Sequence, residues 1–158
     1  MLLFIKLARK LIFALFGVLM LTIGADFTKA ADDALEPLSI TTGSGDHAFS
    51  VEVMRTDPDL ERGLMYRRYL PADRGMLFDF KEERPVMMWM KNTYLPLDMI
   101  FIARNGKVVA LAENAEPLSE AIIPSRVPAY AVLEVNAGTT HKIGLKIGDK
   151  VHHTLFSR

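Results

Sequence analysis

The 158-residue chain has no cysteine. That removes thiol nucleophiles, thiolate zinc sites, disulfide frameworks and dithiol redox chemistry together. It has no excess of either charge, with 19 Lys/Arg against 19 Asp/Glu. Its cations form no stripe or cluster, so binding to a phosphate backbone has no support. No apolar run reaches the roughly 20 residues a helix needs to cross a bilayer. Nucleophile-elbow, zinc-ligand and phosphate-cradling glycine motifs are missing as well. Tryptophan occurs once.

What is present starts with an export pattern. Lys6, Arg9 and Lys10 precede an uncharged run from Leu11 to Ala25, and Thr28 and Ala30 place small residues ahead of a cleavage point after Ala30. This reads as a secretory signal peptide over residues 1–30, followed by a short polar tether at 31–37 and a single domain at 38–158. The expected location is periplasmic or secreted, with membrane contact only through the signal peptide before cleavage. The alternative is an uncleaved N-terminal anchor, lengthened by the apolar residues 1–5. Residues 1–30 hold four of the 19 Lys/Arg and one of the 19 Asp/Glu, which leaves 15 against 18 and a net charge of −3. A chain of this size can bury roughly two-thirds of its unfolded surface, so it needs no staple.

The domain reads mostly as strands. Residues 38–42 and 48–54 alternate branched or aromatic with polar side chains around the turn-rich "GSGDH". Residues 56–67 switch to helical spacing, with Thr56 as cap, Pro58 in the first turn, and Leu60, Leu64 and Met65 as the apolar face. Strand signals return at 75–80, stop at the charged turn "KEER" and Pro85, and resume at 86–92 and 97–103. Asn105-Gly106 then marks a hairpin into 108–113. A proline-marked loop leads to a strand at 130–138, a short helix within 139–149 capped by Thr139 or Thr140, and a last strand at 150–156. Many short strands with one or two short helices indicate a mainly β fold, a compact antiparallel sandwich or barrel of jelly-roll type.

The segment "PVMMWMKNTYLPLDM" (85–99) carries the chemistry worth weighing. As a strand it places Met87, Trp89 and Lys91 on one face and Met88, Met90 and Asn92 on the other, the pattern of a central strand covered on both sides. In the next strand Asp98 shares a face with Ile100 and Ile102. Lys91, Asn92 and Asp98 therefore either close one end of the sheet as a structural clasp or converge on a pocket floor and meet a ligand. Thioether sulfur is a soft ligand, and with Trp89 it raises copper(I) or silver binding. Met87 and Met88 diverge on a regular strand, however, so methionine is expected to be core. The four histidines are expected in solvent or polar turns. Asp98 and Glu134 are the carboxylates a hydrolase would use as acid and base.

"GLMYRRYLPADRGMLFDF", "WMKNTYLPLDMIFIARNGKVVAL" and "VLEVNAG…GLKIGDKV" together resemble, in order and spacing, the family catalogued as domain of unknown function 192. The resemblance runs from about Ser50 to Val151. It implies a compact antiparallel β domain occurring in exported and cytosolic forms, and it transfers no catalytic residue. Its pattern falls on Gly63, Leu64, Met65, Arg67, Trp89, Lys91, Asn92, Thr93, Asp98 and Glu134 among others, and omits Met87 and Met88.

The reading that follows is an exported binding or accessory module of the cell envelope, without a cofactor. Its expected ligand site is a polar mouth of Arg67, Lys91, Asn92, Thr93, Asp98 and Glu134, suited to a small polar or anionic ligand. A hydrolase using Asp98 and Glu134, and a structural domain docking an envelope protein, are the alternatives; catalytic residues are otherwise unassigned. Mass spectrometry of the exported protein should find Ala31 as its first residue; an intact N-terminus would establish the anchored form instead.

Overall fold

The computed structural model describes residues 35–156. The expected signal peptide, and residues 31–34 of the expected tether, lie outside the described residues. Seven strands form one sheet: β1 (Leu35–Thr42), β2 (Gly45–Met54), β3 (Arg74–Met88), β4 (Leu97–Ile102), β5 (Val108–Ala115), β6 (Ile123–Asn136) and β7 (Lys150–His152). Two short helices, α1 (Asp57–Arg62) and α2 (Thr139–Lys142), and a 3-10 turn at Thr154–Phe156 complete the described elements. Among these residues no helix is long and apolar enough to cross a membrane.

The strand order is β5-β4-β6-β3-β2-β1-β7. Pairing is antiparallel except between β2 and β3, which run parallel from Ser50 opposite Arg74 to Met54 opposite Phe78. A parallel pair needs a long crossover, and residues 55–73, including α1, supply it. The sheet curls until its two outer strands approach. Val108 N–H donates to the Asp149 carbonyl at 2.9 Å and Val151 N–H to that of Gly106 at 2.8 Å. The result is a half-barrel. Its approach point is the expected Asn105-Gly106 turn, where Gly106 has φ +80° and a Cβ would lie 2.5 Å from the Val151 carbonyl oxygen.

Alternation along the strands divides the apolar residues into two cores. Ile40, Val51, Leu77, Ile100, Ile102, Leu133 and Val151 fill the inner face of the curl. Met76, Phe78, Met99, Phe101 and Val132 leave the outer face, where Leu64, Leu70 and Met90 from the crossing segments cover them. All six residues of β4 are buried, as a strand covered on both faces requires.

Several boundaries differ from the sequence reading. β1 begins at Leu35, so Leu35–Pro37, expected as tether, pair with Ser50–Glu52. The "KEER" stretch is no chain reversal but a bulge inside one 15-residue strand, where the register jumps from Asp79↔Ala131 to Arg84↔Ala129. β6 likewise starts at Ile123 in spite of Pro124 and Pro128. That part of β6 pairs only with β3, because β4 reaches no further than Ala131, and prolines are tolerated where one side of a strand has no ladder to maintain. β3 stops at Met88, so Trp89–Asn92 are not strand. Met87 is 71 % exposed and is not the core residue expected. His153 is buried, contrary to expectation, with Nε2 3.3 Å from Glu36; burial holds its pKa below the usual histidine value.

Asp98 does face inward with Ile100 and Ile102, but its partners are not Lys91 and Asn92. Its Oδ2 accepts from the Thr140 N–H at 3.0 Å and the Thr140 hydroxyl at 2.8 Å, and its Oδ1 from the Asn114 N–H at 2.9 Å. α2 has Gly138 at its N-cap and no side-chain cap of its own. A carboxylate from a strand therefore does the work of the N-cap side chain. Asp98→Ala, which orphans the buried Thr140 N–H and the part-buried Asn114 N–H, should cost about 2–4 kcal/mol in denaturant unfolding. Lys91→Ala should stay within about 1 kcal/mol of wild type; equal losses would restore the clasp.

Candidate functional site

The segment after β2 builds one wall of a cleft on the outer face. Thr56 caps α1 and accepts from the Asp59 N–H, Pro58 sits in the first turn, and Gly63 (φ +45°) ends the helix. A Cβ on Gly63 would lie 2.9 Å from the Phe78 ring, so the chain passes there only as glycine. The helix is thus six residues long, not twelve, and the turn beyond it buries Leu64. Residues 89–96 form the facing wall. The walls are joined where the Tyr66 N–H donates to the Asn92 carbonyl at 2.9 Å. Both residues hold left-handed backbones, φ +65° and +55°. Such conformations cost about 1–3 kcal/mol each and persist only when the surroundings enforce them.

Between these walls lies a cleft of about 300 Å³ with Glu134 at its floor. Glu134 is flanked in register by Met76 on β3 and Met99 on β4. It is 4 % exposed, and its carboxyl has no hydrogen-bond or ionic partner among the described residues. Burial alone pushes its pKa up to about 8. Lys91 lines the same cleft, with its ammonium 5.1 Å from the centre of the Trp89 ring and no ion-pair partner among the described residues. Thr93 stands nearby and spends its hydroxyl on the Lys91 carbonyl at 3.3 Å. The apolar lining comes from Met65, Phe78, Phe80, Met88 and Trp89. Asp57, Glu61, Arg62 and Arg84 complete the charged lining, and Arg84 lies 5.3 Å over the Phe80 ring while pairing with Glu82 at 3.2 Å.

Of the six residues expected at a polar mouth, the structure brings together three: Lys91, Thr93 and Glu134. Asn92 turns into a neighbouring depression, with its amide 3.9 Å from the Met65 sulfur. Arg67 is engaged elsewhere, its guanidinium forked onto Glu52 at 2.5 and 2.7 Å. Asp98 lies on the opposite face of the sheet. Asp98 pairs with Val135, and Glu134 with Met99, so the two carboxylates project to opposite sides and cannot flank one bond. The expected acid–base pair is therefore ruled out by the pleat. The cleft residues that sequence reading assigned to core include Leu60, Leu64, Met65, Met87, Met88 and Trp89. The only signal among them was the exceptional density of methionine beside the single tryptophan. Met87 and Met88, expected to diverge, both line the cleft. Among the described residues no group of three or more His, Asp or Glu is placed to hold a metal ion.

A model of the family described as Uncharacterized ACR, the domain of unknown function 192, matches residues 39–153. Among solved structures, a candidate transcription regulator from Sinorhizobium meliloti 1021 is 53 % identical, with a TM-score of 0.75 over 77 % of this chain and 95 % of its own. A protein of unknown function from Novosphingobium aromaticivorans DSM 12444 is 39 % identical, with a TM-score of 0.73 over 75 % of this chain and 84 % of its own. A comparison with curated proteins gave no match.

The Glu134 carboxyl sets a pH dependence of stability. In the fold it keeps its proton to about pH 8, whereas an unperturbed glutamate releases it near 4.5. Between those values the unfolded chain binds fewer protons, so stability falls as pH rises, by up to about 1.4 kcal/mol per unit. Denaturant titrations of wild type and Glu134→Gln between these limits should show that slope in their difference.

Proposed function

The chain belongs to the domain of unknown function 192 family, and we propose that this member is an exported binding module that takes one small polar ligand in the cleft between Lys91 and Glu134. The observation that carries the reading is that both groups line one cleft and neither has a hydrogen-bonding or ionic partner among the described residues. A buried carboxyl without a partner costs about 1–3 kcal/mol, and a ligand that supplies the partner recovers it. The remaining walls are apolar and aromatic with few polar groups, which is the make-up of small-molecule sites. The volume is at the small end of that class, so a single compact molecule is the occupant.

Export rests on the pattern of residues 1–30, and it places the ligand in the cell envelope. A nucleic-acid partner, which the description of the Sinorhizobium relative would suggest, is disfavoured by the net charge of −3 after cleavage and by the lack of a basic stripe.

A thermal-shift screen of small polar compounds tests the proposal. A ligand at one hundred times its Kd should stabilise the fold by about 2.7 kcal/mol and alter the fluorescence of Trp89, the only tryptophan in the chain. Lys91→Ala and Glu134→Leu should abolish both responses while remaining folded, the latter at least as stable as wild type at neutral pH. Hits that shift these variants as much as wild type would sink the proposal.

A further inference from the structure

Within the cleft reading, on which this inference rests, the charges facing Glu134 specify the ligand further. From α1 come Asp57, Glu61 and Arg62, from β3 Arg84, and from the facing wall Lys91. Three cations stand against two carboxylates. Arg84 is paired with Glu82, whereas Arg62 and Lys91 have no ion-pair partner among the described residues, and of these two Lys91 is the one set against the indole face. A ligand ammonium would have to displace Lys91 from Trp89 and then lie beside it. A ligand carboxylate meets no such conflict.

We infer that the ligand is a small amphiphilic monocarboxylate, whose carboxylate pairs with Lys91 and accepts a hydrogen bond from the protonated Glu134 carboxyl, while its apolar body lies against Trp89, Phe80, Met65 and Met88. Hydrogen bonds from a carboxyl O–H to a carboxylate are short and charge-assisted. The proton is shared by two carboxylates that cannot both be ionised at contact distance. Below about pH 8, where Glu134 already carries its proton, binding exchanges none. Above it, each binding event takes one proton from water onto the carboxyl pair.

The test uses the full chain with two probes of matched size and opposite charge, 3-phenylpropionate and 3-phenylpropylammonium. Trp89 fluorescence gives affinity across pH, and calorimetry in buffers of different ionisation enthalpy counts protons. 3-Phenylpropionate should bind with constant affinity up to about pH 8, then about tenfold more weakly per pH unit, with one proton taken up. Glu134→Gln, whose amide still donates, should bind it without that pH dependence, and Lys91→Met should bind it at least about tenfold more weakly at every pH. Tighter binding of the ammonium probe, with proton release, overturns the inference but leaves the cleft as a binding site. Carboxylate binding with the same pH profile in Glu134→Gln also overturns it. No response of Trp89 to either probe at millimolar concentration overturns it too, and a blank compound screen in addition removes the cleft reading.

Discussion

Where β3, β4 and β6 are covered on both faces, a polar side chain must find its partner inside the protein or go without. Burial takes two carboxylates there, Asp98 at 0 % and Glu134 at 4 % exposure, largely out of water. Two carboxylates stand near one another in the β4–β6 ladder, and the pleat sends them opposite ways. Asp98 goes inward and meets three donors. Glu134 goes outward and meets none. The contrast between these two groups explains how one end of the half-barrel is held and why the outer-face cleft has an unpartnered carboxyl at its floor.

Asp98 fastens α2, through Thr140, to the paired strands β4, which carries it, and β5, through Asn114; the Thr140 hydroxyl also lies 2.7 Å from Glu113. A four-residue helix cannot sustain itself, and here its N-terminal N–H is fixed by a group bonded into the centre of the sheet. That in turn directs Ile143 and Leu145 into the inner core. The other end of the same opening is drawn together by backbone bonds between Gly106–Val108 and Gly148–Val151. Backbone pairing and one carboxylate thus share the task of curling the sheet.

On the outer face the constraint is different. The segment from β2 to β3 must span a parallel crossover, and it passes over Phe78 close enough to demand glycine at position 63. The connection from β3 to β4 must turn back along it. Their meeting point stores strain at Tyr66 and Asn92 and leaves the space above Glu134 unfilled. Lys91 stands in that space against Trp89, so the cleft is electrically incomplete rather than merely hollow.

By itself the sequence determined the class of fold, the family, the Asn105-Gly106 hairpin, the start of α1 at Thr56 and the inward face of Asp98. The family rests on whole motifs matched in order and spacing; the others follow from short-range rules, namely alternation, turn chemistry or capping, which act within a few residues. Lys91 and Glu134, expected close together, do line one cleft. The tertiary structure alone decided that β3 runs through "KEER", that Trp89 leaves the strand, that Arg67 is tied to Glu52, and that Asp98 and Glu134 part company across the sheet. A bulge lets β3 resume its ladder with β6 after residues 80–83 have looped out, and no local signal tells which strand the partner is. Nor does the spacing of two carboxylates along the chain fix their faces until the register between β4 and β6 is set, since one residue of slip exchanges inside for outside.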